Sequence, residues 1–235
     1  MKPTVPTLLS FNGGYVDTVG YLSLQGLFTA HVTGNFVTIG AALVFGTSGV
    51  VAKLLALPVF CIVIIVTRLI SFNLPPRWPV FETMLSLKLL LLLVAAVLAI
   101  AMGPFANGDG APAIILGMTL VSAMAIQNAA QRIHLGAAPP TTLMTGTTTQ
   151  IMIDIADLIR GTPGVARDAI ILRLRRMSVA VVSFAAGAAA GALLFHAMGS
   201  WCFVLPPVVA FLTRITANSS LANPTGTQRP QSAAT

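Results

Sequence analysis

Long apolar runs, broken by few polar residues, set the pattern of this chain. A membrane-crossing helix needs about 20 mostly apolar residues, with a range of about 17–25. Six stretches reach or approach that length. They are 5–26, interrupted by Asp17; 50–70, flanked by Lys53 and Arg68, whose stems can snorkel outward; 84–102, with Lys88 near its start; uncharged 111–130; 177–199; and 201–217, with a bend expected at Pro206-Pro207. Two further apolar stretches, 36–46 and 148–160, are too short. As a helix, the first would extend about 16 Å, half of a ~30 Å hydrocarbon core. They are expected to be re-entrant half-helices or the C-terminal parts of less apolar full spans.

The two short stretches also carry an internal repeat. Thr33-Gly34-Asn35 precedes the first and Thr145-Gly146-Thr147 the second. Upstream, Tyr15-Val16-Asp17-Thr18 aligns with Ile126-Gln127-Asn128-Ala129, which pairs Asp17 with Asn128. Each copy continues into two apolar spans. The order predicts one membrane domain over 1–217, in halves of about 1–104 and 105–217, followed by a polar, disordered tail over 218–235.

Composition agrees. Of 235 residues, 56% are hydrophobic and 8% charged, against roughly 45–50% and about 25% in soluble domains. That excludes most soluble enzyme classes, disordered chains and disulfide scaffolds. Cys61 and Cys202 sit inside apolar runs with no CxxC spacing and read as packed thiols. The first residues lack the features of a cleaved leader.

The net charge of +7 is a topology signal. Lys and Arg of short loops collect on the cytoplasmic side. If the two short stretches dip in and return, there are six full spans with both termini inside. Twelve of the thirteen basic residues then fall inside, Lys53 being the exception, and the loop carrying Asp109 is external. With eight full spans in two parallel sets of four, Arg68, Arg77, Lys88 and Arg132 fall outside, so the six-span layout fits better. It makes the halves inverted, as in many transporters whose sites lie near the midplane. The basic cluster 160–176 reads as positive-inside placement with anionic lipid contact. Without interleaved aromatics it gives no support to nucleic-acid binding.

Asp17 is the sharpest single residue. A carboxylate in mid-span is costly unless paired, hydrated or protonated. It reads equally as a proton or substrate site and as a polar lock on unwound backbone. The Thr-Gly turns divide likewise: helix N-termini facing one another at mid-membrane would favour an anion or ligand oxygen, and plain capping would need the same residues. His31 and His134 read as interfacial or packing residues. Gln150, Asp154 and Asp157 share a helix face that could line a wet vestibule or pair with nearby arginines. Ser183, Gly187 and Gly191 form a small-residue stripe suited to packing within the chain or between identical copies. No metal set, phosphate loop or hydrolase elbow appears, so no cofactor and no enzyme are expected.

Several of these runs are familiar together. Gly13-Gly14-Tyr15-Val16-Asp17, Gly26-Leu27-Phe28 and His31-Val32-Thr33-Gly34-Asn35 resemble the YoaK-like family of bacterial membrane proteins. So do Gln127-Asn128-Ala129-Ala130 and Met144-Thr145-Gly146-Thr147, and the resemblance covers about residues 8–215. It implies a multi-spanning protein of the bacterial inner membrane, in a family of unknown function that supplies no site residues. The expectation from the residues is an all-α membrane protein that moves a small solute or ion. Asp17, Thr33, Asn35, Asn128, Thr145 and Thr147 would line its polar site. The alternative is a scaffold or regulatory module acting through the basic segment 160–176.

Overall fold

Thr4 and Pro6 start the first helix together. The Thr4 hydroxyl accepts the Thr7 N–H at 3.4 Å, and proline in a first turn gives up an N–H that would have no partner there. From this point the computed structural model, which describes residues 4–75, 77–161 and 163–222, is helical almost throughout. The helices are α1 (Val5–Ser23), α2 (Asn35–Phe45), α3 (Val50–Asn73), α4 (Val80–Met102), α5 (Ala111–His134), α6 (Met144–Arg160), α7 (Gly164–Met198) and α8 (Leu205–Ala222). Short 3-10 segments, Val32–Gly34 and Gly199–Val204, lead into α2 and α8. Among the described residues there is no strand.

Four stretches are long and apolar enough to cross a membrane: α3, α4, α5 and the helical run Gly164–Ser219. Their outer faces leave Ile62, Leu69, Leu90, Val97, Val182 and Leu193 exposed. So large an apolar belt suits lipid rather than water. The inner faces close around a core that includes Tyr15, Val16, Leu92, Leu116, Leu120 and Phe203.

The packing has a definite order. α1 lies along α7 and α5 along α3; α4 rests on α5 and α8 on α1; α4 meets α8; α2 covers α3 and α6 covers α7. Gly14 and Gly187 permit the first of these contacts, since a Cβ on either would fall on a carbonyl oxygen, of Phe184 and Phe11 respectively. The stripe through Gly187 and Gly191 therefore packs against α1 within one chain.

After α1 the backbone doubles back. The Gln25 side chain reaches the Phe105 carbonyl at 3.5 Å, while the N–H groups of Thr29 and Ala30 meet Asp17, about two turns before the end of α1. α2 then returns the chain to the 105–109 loop, where Ser48 accepts the Gly108 N–H and Asp109 accepts that of Gly49. The second half does likewise: after α5, Thr141 and Thr142 return to the level of Gln127 and Asn128, and α6 leads out again to Arg173 on α7.

Several boundaries differ from expectation. α7 starts at Gly164, so Arg167–Arg176 lie on a helix continuous with the apolar run and form no loop. α6 starts at Met144, which puts Thr145-Gly146-Thr147 inside its first turn. The break near the C-terminus falls at Gly199–Val204, and Pro206-Pro207 open α8 without bending it. Asn12 Nδ2 and Tyr15 Oη donate to the carbonyls of Pro206 and Cys202 there, tying α1 to the break. Lys53 and Lys88 are buried and do not snorkel. α8 continues to Ala222, into the stretch expected to be a tail; 223–235, with Arg229, and Lys2 lie outside the described residues.

Candidate functional site

An extended segment inside a helix bundle exposes backbone groups that water cannot reach, so side chains must satisfy them. Two residues do this for 28–30. Asp17 Oδ1 accepts the N–H groups of Thr29 and Ala30 at 2.7 and 2.8 Å, and the Thr29 hydroxyl at 3.3 Å. Asn35, the first residue of α2, pairs with Phe28 in both directions: its Oδ1 accepts the Phe28 N–H and its Nδ2 donates to the Phe28 carbonyl, each at 2.8 Å. The other Asp17 oxygen lies 3.7 Å from His31 Nδ1. These are the contacts of a polar lock, with one imidazole linking the carboxylate to the surface beyond.

The second turn is held by neutral groups. Asn128 Oδ1 accepts the Thr142 hydroxyl at 2.7 Å, and its Nδ2 donates to the Met124 carbonyl at 2.9 Å. Gln127 Nε2 donates to the Leu9 carbonyl at 2.9 Å and to the Thr141 hydroxyl at 3.2 Å. Its Oε1 accepts from Lys88 Nζ. Lys88, expected near a helix start at the membrane surface, is fully buried, because α4 begins at Val80, two turns earlier. A lysine inside a bundle is expensive, which makes it a functional candidate.

Between the two turns lies a groove of about 600 Å³, walled by α3 and α5. Ala30, His31, Val32 and Thr33 line one side, and Pro140, Thr142 and Leu143 the other. α5 contributes Asn128, Gln131 and Arg132; α3 contributes Leu57, Phe60, Cys61, Ile64, Ile65 and Arg68. The Arg68 guanidinium stacks over the Phe72 ring, 4.2 Å from its centre. No carboxylate lines the groove.

Of the residues picked from sequence, Thr33 and Asn128 line this groove, while Asp17 and Asn35 stand behind its first turn. Thr145 is exposed on α6 beside Thr148 and Thr149, in a separate shallow depression. Thr147 is buried, its hydroxyl donating to the Leu143 carbonyl at 3.4 Å. Sequence reasoning did not assign Arg68, Gln127 or Lys88 to a site. The signal for Lys88 was a charge in the middle of a leucine run.

Two carboxylates elsewhere are held within the fold. Asp154 is buried on α6, where it accepts both Arg173 Nε and Nη2, at 2.9 and 2.6 Å, and Gln150 Nε2 at 2.8 Å. Asp109 caps α3: Oδ2 accepts the Gly49 N–H, and Oδ1 accepts those of Val51 and Ala52. Burial pushes the Asp109 carboxyl up, but the N–H groups around it together hold it below the usual carboxylate range.

Comparison with known proteins reaches the same class. A family model described as a protein of unknown function, DUF1275, matches residues 5–216. The UPF0700 transmembrane protein YoaK of Bacillus subtilis (strain 168) is similar, with 35% identity over 161 residues, covering 66% of this chain and 68% of that protein. No solved structure matches. Membrane-length apolar helices, the paired turns and a match along nearly the whole helical region lead to one statement: this chain belongs to the YoaK-like DUF1275 family of multi-pass membrane proteins, a family of unknown function.

Proposed function

We propose that this chain is a small-solute or ion transporter, or a channel-like protein, of the bacterial inner membrane, with its site in the groove between the two doubled-back turns. The observation that carries this reading is the groove itself: both turns line it, together with Arg68, Arg132 and Asn128, between α3 and α5. Asp17 reaches it through His31, which gives a titratable pair beside a solute.

The topology proposed with it has six crossing helices, α1, α3, α4, α5, α7 and α8, with α2 and α6 re-entrant. Exchanging α1–α4 with α5–α8 maps the packing onto itself: α1 on α7 becomes α5 on α3, α4 on α5 becomes α8 on α1, and α2 on α3 becomes α6 on α7. That pattern supports two inverted halves. Arg68 and Arg132 lie in the later turns of α3 and α5, and Asp109 caps the opposite end of α3. The charge distribution favours cytoplasmic N- and C-termini.

Reconstitution into proteoliposomes tests this. A panel of small solutes and ions is offered under an imposed pH gradient to wild type, Asp17→Asn and Asn35→Ala. Uptake by wild type and its loss in both variants is the expected result. If nothing moves, or both variants transport like wild type, the proposal falls.

A second reading, a scaffold, has one observation in its favour. The basic first half of α7 extends as an exposed helix carrying Arg167 and Arg176. Pull-down from native membranes with Arg167→Glu and Arg176→Glu would lose a partner if this face recruits one.

A further inference from the structure

The groove's shape and charge narrow its ligand. On α3, Leu57, Phe60, Cys61, Ile64 and Ile65 form a stripe at helical spacing that ends at Arg68. From 57 to 68 the helix rises about 16 Å, close to one leaflet of a ~30 Å hydrocarbon core. The stripe is open to the side: Cys61, Ile65 and Arg68 are exposed. On α5 the exposed Arg132 stands in the last turn, and the two helices start at the same end, beside the 105–111 loop. Both guanidinium groups therefore belong to one end of an apolar channel. Neither forms an ion pair with a carboxylate among the described residues. A soluble anion would find two cations but would leave the long apolar wall without a partner. A neutral lipid would fill the wall and leave the charges unanswered.

We propose that this groove binds an anionic amphiphile, with its phosphate or carboxylate head on Arg68 and Arg132 and a hydrocarbon chain along the α3 stripe. The inference rests on the reading of this groove as the site and names the class of its ligand. Head and chain are recognised by different means: charge-assisted hydrogen bonds from guanidinium at one end, apolar contact along the rest.

The full-length protein is purified in a neutral detergent, and its protection against thermal unfolding is measured as dioleoylphosphatidylglycerol or dioleoylphosphatidylcholine is added. The anionic lipid is expected to protect at the lower concentration. Arg68→Gln and Arg132→Gln should each raise the concentration of anionic lipid needed by about fivefold, the weight of one basic side chain at an anionic headgroup. Arg68→Lys and Arg132→Lys should keep most of the protection, which separates lost charge from lost fold. Equal protection by the two lipids would overturn the proposal. So would protection that survives both glutamine substitutions, or equal protection by inorganic phosphate in the same detergent. Loss of transport with protection intact removes the transport reading alone; transport without protection removes this one alone.

Discussion

Asp17 and Thr29 are joined twice, by the Thr29 backbone N–H at 2.7 Å and by its hydroxyl at 3.3 Å, both donating to the same carboxylate oxygen. With the Ala30 N–H on that oxygen as well, one side chain satisfies the groups that α1 and α2 leave free between them. A charge in a bundle is tolerable on such terms, because charge-assisted bonds to backbone N–H groups replace the lost water.

Removing the acceptor is therefore expected to cost more than removing the charge. Asp17→Ala leaves two buried N–H groups without partners, at about 1–3 kcal/mol each. Asp17→Asn keeps an oxygen facing them and should lose only a fraction of that. Thermal unfolding in detergent, followed by loss of monodisperse protein, ranks the three forms. Equal midpoints for Ala and Asn would mean that the charge, and not the acceptor, holds the turn. The same Asn variant then isolates any proton-coupled role, since its fold is expected to survive.

Close backbone approach gives a second contrast. An added Cβ at Gly187 would fall on the Phe11 carbonyl and one at Gly14 on that of Phe184, so Ala at either forces α1 and α7 apart. Overpacking of this kind costs about 1–3 kcal/mol. Gly40 on α2 has no heavy atom within 4 Å of its Cβ position, and Gly40→Ala should be neutral or gain up to about 1 kcal/mol from helix propensity. Melting temperatures of the three variants test this, and a Gly187→Ala protein as stable as wild type would remove the close contact from the account.

What the sequence revealed follows from which forces act locally. α3, α4 and α5 are legible because twenty or so apolar residues in a row leave few alternatives. Val5–Ser23 is legible as an apolar run despite Ser10, Asn12 and Asp17. The start of α7 was misjudged because charge was read as the end of the helix. Arg167–Arg176 favour helix intrinsically and simply leave the apolar layer. Lys88 was misplaced for the opposite reason: its acceptor, Gln127, is 39 residues away on another helix, and no local pattern announces it. Repeat order singled out Asp17 and Asn128, and each bonds to one of the returning segments. It could not tell that Arg68, from α3, would complete the groove between them, because that depends on packing.

Lys88 and Gln127 are expected to be energetically coupled. Lys88→Met fills a similar volume without charge but strands the Gln127 Oε1, while Gln127→Leu strands the lysine and removes a second donor from the Leu9 carbonyl. In a double-mutant cycle the pair should show a coupling of about 0.5–3 kcal/mol, typical of residues in direct contact. Unfolding free energies of the four proteins give it directly. Strictly additive losses would show that the lysine is stabilised by something other than this amide.

Asp109 gives the pH dependence of the opposite end of the bundle. Its carboxylate holds the N–H groups of Gly49, Val51 and Ala52 at the start of α3, which keeps its pKa in the folded protein below the usual value of about 3.9. For a carboxyl lowered on folding, the stabilisation is complete above the unfolded-state pKa and is lost as pH falls through the folded-state one. At neutral pH Asp109→Ala should therefore lose about 0.5–2 kcal/mol, the weight of a helix cap. As the solution is acidified from about pH 5 to about pH 2, wild type gives up that advantage and the two unfolding curves approach one another. Asp109→Asn, which retains an acceptor but no charge, should run between them and show no such convergence of its own with the alanine form. If wild type and Asp109→Ala stay equally far apart at the lowest pH, the cap works through hydrogen bonding alone, and the lowered pKa has no part in holding α3 to its loop.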